Sequence, residues 1–419
     1  MAGQTIIEKI FQAHSPKGTP VTPGSIIWLD LDVRTARDFA GANVVQNYRT
    51  HYGNSPVADK DKTFFTFDLV VPPSNIPYAN NQQICRIWAR EQGVGVYDVD
   101  AGIGSHVAIE DGLAYPGSTF VGTDSHLNIL GAVGAFGQGM GDQDIAFTFK
   151  AGKSWFEVPP TMKVIVTGQI EPPCTARDLT LAVMRRLGSN GALGRVVEFY
   201  GPAIETLNLP GRITLASQVT EMGGIIGLIP PSDEVLAYAR ERVEVGTEIH
   251  PYYADPDAEY VETVEVDITG LEPLIACPPS PANVVPVREV TGRRIDSVFL
   301  GSCTNGRFED FAAVAEVVKG KRIAPGVMAT AVPATREVYQ QMLRSGVLET
   351  LFEAGFIVSN PGCGGCASGH LGMTGHEQVN ISTSNRNYPG KQGPGDTYLA
   401  SPLTAAWCAL KGEITVPKA

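Results

Sequence analysis

The sequence predicts an α/β protein with mainly parallel sheets, organised as three successive units. Three observations carry this reading. Short β-branched apolar runs alternate with amphipathic helical patterns, the arrangement expected of layered parallel sheet. Glycine (46) and proline (30) are spread along the chain and punctuate it into many short elements. Two proline-rich joints, "FEVPPT" near Pro159 and "ACPPSPANVVP" from Ala276, divide it into three parts. A chain of 419 residues is also too long for one compact core. The expected units are 1–159, 160–284 and 285–419.

The elements follow in order. Ile6, Ile7, Ile10 and Phe11 share one stripe, so the first segment reads as an amphipathic helix and not as a signal peptide. Buried strands are expected at Ile26–Leu31, Thr63–Val71, Met162–Val166, Val298–Leu300, Phe356–Val358 and Val379–Ser382. Helices are expected at Gln82–Glu91, Ala176–Leu187, Glu309–Val318, Arg336–Ser345 and Thr404–Leu410. In such sheets, chemistry collects on the loops leaving the carboxyl ends of strands.

Composition narrows the function classes. Hydrophobic content is 43% and charged content 18%, which describes a globular chain and not a disordered or fibrous one. The net charge is 32 − 44 = −12. That balance argues against nucleic acid or a membrane surface as partner, while leaving room for a small anionic substrate in a local basic pocket. No apolar run approaches a membrane span, and a cytoplasmic location is expected. Seven cysteines (85, 174, 277, 303, 363, 366 and 408) do not read as a disulfide framework in that compartment. Cys85, Cys174, Cys277 and Cys408 read as structural thiols.

Four polar loops stand apart, each after an expected strand. In "FVGTDSHLNILGAVGAFGQGMGDQD", Asp124, Ser125 and His126 are adjacent, which rules out a serine-hydrolase triad geometry, and neither dinucleotide nor Walker spacing is present. Helix capping would explain Asp124 or Ser125 but not a histidine in the same turn. In "VFLGSCTNGRFEDF", Cys303 sits ahead of a helix start, where a thiolate is favoured. In "SNPGCGGCASGH", Cys363 and Cys366 are compatible with a redox pair, with zinc together with His370 or His376, or with an iron–sulfur cluster. One distant cysteine plus one close pair suits a cubane cluster with one iron lacking a thiolate, an open site able to act as Lewis acid. In "STSNRNYPGKQGPG", Arg386 and Lys391 are of the type that binds carboxylates.

"GTDSH", "GSCTNGR" with its following Glu–Asp, "NPGCGGC" and "STSNRNYPGK", in this order, resemble the signatures of the aconitase superfamily. Within it the resemblance is to the large subunits of 3-isopropylmalate dehydratase and homoaconitase, and extends to "AGKSWFEVP" and "VVEFYGPAIETL". The resemblance implies three α/β domains around a [4Fe–4S] cluster held by Cys303, Cys363 and Cys366, with one open iron. It implies a hydro-lyase acting on a hydroxy di- or tricarboxylic acid, 3-isopropylmalate or another substituted malate. Asp68, His106, Asp124, Ser125, His126 and Glu221 are then the catalytic set, and Ser384, Arg386 and Lys391 the substrate-binding set.

Three positions depart from the family pattern. Leu69 stands where the family commonly has the histidine of an acid-side pair with Asp68, Ser217 where it has asparagine, and Lys391 where it has a second arginine. These imply an altered substrate or a weakened activity, and leave His106 or His126 to protonate the leaving hydroxide. The family's general base, a serine in a Ser–Ser–Arg motif, belongs to a swivelling domain, and that motif does not occur in this sequence. A small partner subunit is expected to supply it. Two alternatives stand beside the dehydratase: hydration of another unsaturated diacid such as a substituted maleate, and a non-catalytic cluster-binding relative.

Overall fold

Four sheets, three of them large, organise the chain in the computed structural model, which describes residues 3–366 and 371–418. His370, named above beside the cysteine pair, lies outside the described residues. Among the described residues no helix is long and apolar enough to cross a membrane.

The first large sheet has five parallel strands in the order Gly95–Tyr97, Thr63–Thr66, Val33–Arg37, Thr119–Gly122 and Phe136–Gly139. Its central strand ends at Arg37. The neighbours on either side run into the loops that carry Asp68 and Asp124, so all three side chains rise from one carboxyl edge. An aromatic core of Phe65, Trp88 and Phe149 fixes the helices against one face. The expected strand Thr63–Val71 stops at Thr66 because Asp38 draws the chain aside: its carboxylate accepts from the amides of Leu69 (3.1 Å) and Val70 (3.2 Å).

Ile26–Leu31 is not a buried strand of this sheet. Ile26–Asp30 pairs antiparallel with Lys153–Glu157 as a separate ribbon, with Trp28 facing Trp155 and both largely exposed. Its five residues are nearly all apolar, which hides an alternating in–out pattern. The N-terminal helix, Ile6–His14, buries all four residues of its expected stripe.

The second large sheet is parallel, in the order Ile226–Leu228, Val196–Tyr200, Thr161–Thr167, Glu262–Asp267. Helix Ala176–Leu187 packs on it, started by a capping box in which Thr175 and Asp178 satisfy each other's end of the first turn. The third has seven strands: Val284–Pro286, Leu274–Ala276, Asp396–Ala400, Val379–Ser382, Ser297–Leu300, Met328–Ala331 and Ile357–Val358. The last five are parallel and the first two antiparallel. The position 284/285 falls inside the strand Val284–Pro286, and Leu274–Ala276 pairs with that strand. Cys303 follows Ser297–Leu300, Arg386 follows Val379–Ser382, and the Cys363–Cys366 turn follows Ile357–Val358. The carboxyl edge of this sheet therefore faces the carboxyl edge of the first.

Candidate active site

Cys303, Cys363 and Cys366 line one cleft with Asp124, Ser125 and His126, and with Arg386 and Lys391. Arg37, Leu69 and Ile103 complete its wall. The sequence motifs thus converge from three loops of the third sheet and from the first. Cys303 is presented by unusual backbone: Ser302 before it has φ 75°, a left-handed conformation rarely adopted by a residue with a side chain, and Gly301 has φ 143°. Thr304 braces this turn, its N–H donating to Ser302 Oγ at 3.2 Å. Gly362 allows the other cysteine loop to approach the first sheet, since a Cβ there would meet Val71 Cγ2 at 2.8 Å. The Cys363 amide then donates to the Asp68 carbonyl at 2.8 Å.

His126 faces the cleft. Its amide donates to Asp124 Oδ1 (3.0 Å), its Nε2 lies 3.1 Å from Glu221 Oε1, and its Nδ1 lies 3.4 Å from Ser125 Oγ. Arg386 Nε donates to the same Glu221 oxygen at 2.5 Å. Burial opposes the charge on Glu221, but His126 and Arg386 outweigh it and hold the carboxyl below its ordinary range. An ionised Glu221 accepts from both neighbours, so His126 carries its proton on Nε2 and leaves Nδ1 toward Ser125. Asp124 is likewise held low against burial, chiefly by Arg37 and His126.

Asp68 and His106 stand behind the cleft wall. Asp68 is fully buried, accepts from the Gly104 amide (2.9 Å) and Arg37 Nε (2.8 Å), and is pushed up to about 7 by burial against the pull of Arg37. His106 is also fully buried; its Nε2 donates to the Cys303 carbonyl at 2.9 Å. Burial, with Arg307 nearby, lowers it to about 3, so it is a neutral donor that steadies the cysteine loop. Of the two histidines expected to cover proton transfer, only His126 lines the cleft.

Ser384, expected to bind substrate, and Ser217, one of the three departures, lie elsewhere. Ser384 does not line the cleft: it is completely buried, and its hydroxyl is taken up by Ser382 Oγ (2.8 Å), Gln392 Nε2 and the Arg386 carbonyl (3.5 Å). Its own carbonyl accepts from Arg177 (2.8 Å), so it shapes the loop that carries Arg386. Ser217 is equally buried, with its hydroxyl on the Thr214 carbonyl at 2.9 Å. Its own carbonyl accepts from Asn385 Nδ2 at 3.4 Å, which places it behind the same loop.

Arg37 was not visible from sequence motifs. Its guanidinium donates to Asp68 Oδ1, to Asp124 Oδ1 (3.0 Å) and to Cys363 Sγ (2.9 Å). The only signal is an arginine closing a β-branched run, "VRTAR". Arg177 and Arg307 were also unassigned; both are buried, Arg177 reaching the Ser384 carbonyl and Arg307, a few residues after Cys303, pairing with Glu110.

The donor set fits a soft, positively charged group. Burial drives Cys303 and Cys363 well above the ordinary thiol range, so ionised sulfur here needs a cationic partner bound to it. Among the described residues no three His, Cys, Asp or Glu side chains are gathered closely enough for a single metal ion. Three sulfurs set around a shared cleft fit a larger iron–sulfur group.

Similarity supports the same direction. The aconitase family (aconitate hydratase) matches residues 8–412. The chain is 41% identical over 419 residues to the 3-isopropylmalate dehydratase large subunit 1 of Methanopyrus kandleri, covering 99% of each chain. It is 39% identical to the homoaconitase large subunit of Thermus thermophilus, over 99% of this chain and 98% of that one. In fold it is similar to holo aconitase X of Thermococcus kodakaraensis (TM-score 0.51, 12% identity, 85% and 84% of the two chains covered). The chain belongs to the aconitase family, in the branch of the 3-isopropylmalate dehydratase and homoaconitase large subunits.

Proposed function

We propose that this chain is the large subunit of an aconitase-type hydro-lyase that removes water from, or adds it to, a hydroxy di- or tricarboxylic acid of the substituted-malate class. The observation that carries the reading is the convergence in one cleft of three thiols with His126 and Arg386, which Glu221 links behind the cleft wall. Membership of the family implies a [4Fe–4S] cluster. Cys303, Cys363 and Cys366 would hold it. With three thiolates one iron stays open, and when bound it supplies Lewis-acid polarisation of a substrate hydroxyl.

The chain's own groups have separable tasks. Arg386 and Lys391 bind substrate carboxylate and stabilise the negative charge that spreads into it as a proton leaves the neighbouring carbon. Glu221 fixes both the Arg386 fork and the His126 ring. His126 Nδ1 is the atom available to move a proton, with Ser125 Oγ as its neighbour, and Glu221 stabilises the ring when Nδ1 is protonated. Asp124 holds the His126 backbone and keeps Arg37 in place. His106 orients the Cys303 loop. Leu69 and Ile103 give the cleft an apolar side, which favours a substrate bearing an apolar substituent and keeps a substituted maleate among the acids to be tried.

The relatives' designation as large subunits supports a small-subunit partner. We assign to that subunit the swivelling domain with the Ser–Ser–Arg base, and to the assembly a cytoplasmic location. The test is anaerobic reconstitution of the purified chain, alone and with a co-expressed small subunit, followed by a screen of substituted malates and maleates read by the absorbance of the unsaturated acid. Turnover is expected only from the pair. Full turnover by the chain alone would remove the partner, and no turnover of any diacid by the loaded pair would remove the hydro-lyase reading.

A further inference from the structure

Arg37 reaches a cysteine sulfur from the opposite sheet. It ends the central strand of the first sheet, and its own amide is fixed by Thr123 Oγ1 at 2.9 Å. Nε donates to Asp68 Oδ1 (2.8 Å), one terminal nitrogen to Asp124 Oδ1 (3.0 Å), and the other to Cys363 Sγ (2.9 Å) while lying 2.7 Å from Asp68. All three nitrogens of the planar fork are thus engaged, and two carboxylates hold it against rotation. A guanidinium keeps its charge at any working pH, so the contact to sulfur is a permanent charge-assisted N–H···S bond.

We propose that Arg37 is a positioning residue for the cluster: it orients Cys363 and withdraws electron density from its thiolate, raising the reduction potential of the bound iron–sulfur group. The inference rests on the cluster assignment above. Hydrogen bonds to ligand sulfur and nearby charge set cluster potentials, and groups that orient metal ligands govern their occupancy. The same bond ties the two facing sheets together at the site, alongside the Cys363 amide on the Asp68 carbonyl. The carboxylates alone would explain a buried arginine. They do not require one of its nitrogens to be placed on the sulfur.

The experiment compares the native chain with Arg37→Gln, which keeps an N–H donor but no charge, and Arg37→Lys, which keeps the charge but not the fork. Each is reconstituted anaerobically with ferrous iron and sulfide. Iron and sulfide are counted, the midpoint potential is titrated by EPR, and apoprotein unfolding is followed by circular dichroism. The Gln variant is expected to shift down in potential by about tenfold in the reduction equilibrium, ~59 mV for one electron, with Lys between it and native. A variant whose apoprotein unfolds like native but which loads less iron supports the orienting half of the role. If native and both variants load fully at one potential, the inference is overturned while the cluster assignment survives. If the native chain takes up no iron–sulfur chromophore, the assignment beneath it fails as well. Should both variants fail to fold, native holoprotein labelled with guanidino-15N arginine decides: nitrogen hyperfine coupling to the reduced cluster supports the contact, and its absence overturns it.

Discussion

Replacing Arg307 by methionine isolates a buried charge and gives a measurable cost. Arg307 Nη1 donates to Glu110 Oε1 at 2.5 Å, with both side chains less than 10% exposed. Thr335 Oγ1 donates to the same oxygen (2.9 Å), and Arg242 donates to the Glu110 carbonyl (3.0 Å) while pairing with Glu337. Without Arg307 the buried carboxylate keeps one hydroxyl donor and no cation hydrogen-bonded to it among the described residues, with Arg242 on the backbone carbonyl. Breaking a buried pair in this way costs about 3–5 kcal/mol. At ~2.1 cal/mol/K per residue, unfolding 419 residues as one unit carries an entropy near ~0.9 kcal/mol/K, so Tm is expected to fall by roughly 3–6 °C. The loss is also pH-dependent. Burial already raises the Glu110 pKa against the pull of Arg307, and removing that pull raises it further. A carboxyl raised on folding contributes stability below its unfolded value and loses it as pH rises through the folded one. The variant's deficit should therefore be larger at pH 8 than at pH 5.5, by about 1.36 kcal/mol for every tenfold weakening of the Glu110 acid. Calorimetry of the apoprotein at the two pH values checks this, and adding Glu110→Gln should recover most of the deficit. A deficit that is equal at both pH values, or that Glu110→Gln deepens, would refute the reasoning.

Glu221→Gln removes the shared acceptor of His126 and Arg386, and should lower kcat of the reconstituted pair by about 10²-fold or more while raising KM and leaving the far-ultraviolet spectrum unchanged. Single serine replacements of Cys303, Cys363 and Cys366 should each abolish or sharply reduce cluster absorbance after reconstitution; Cys408→Ser, in the buried helix Pro402–Lys411, should load like native. His14 is raised above its ordinary value because Asp32, 2.9 Å away, outweighs the burial that would lower it. That contribution is complete below about pH 6.5 and is lost as pH rises through the folded value. The Tm difference between native and His14→Gln should accordingly be largest near pH 6 and shrink toward pH 9.

The cleft loops were legible because their chemistry is local. Cys303, Cys363 and Arg386 each sit in glycine- and hydroxyl-rich turns directly after a β-branched run, and helices Ala176–Leu187 and Arg336–Ser345 have the expected limits. Arg37 was illegible because its role is wholly non-local: its partners are 31, 87 and 326 residues away. The strand that carries it, "VRTAR", escaped notice for a related reason. Arg34 and Thr35 are buried there by hydrogen bonds, Arg34 to the Leu31 carbonyl at 2.8 Å, and not by apolar character. Ser384 shows the converse: its residue type and motif suit a substrate contact, but Ser382 and Gln392 take up the hydroxyl within the same loop.

Charge balance at the cleft bears on the missing partner. Three cations reach it: Arg37, Arg386 and Lys391. Arg37 is fully engaged by Asp68, Asp124 and Cys363. Arg386 shares Glu221 with His126. Only Nε of Arg386 is engaged there, so its terminal nitrogens and Lys391, which has no ion pair among the described residues, are the cationic donors proposed for substrate. Arg386 and Lys391 set against Glu221 leave one net positive charge, which does not balance a dicarboxylate as negative charge grows at the carbon between its groups, and the chain as a whole carries −12. Further positive charge is then expected from outside the chain, because a cluster core held by three thiolates would bring no net positive charge with it. Charge neutralisation thus gives a reason, independent of the Ser–Ser–Arg motif, to test the proposed small subunit for cationic side chains that reach this cleft.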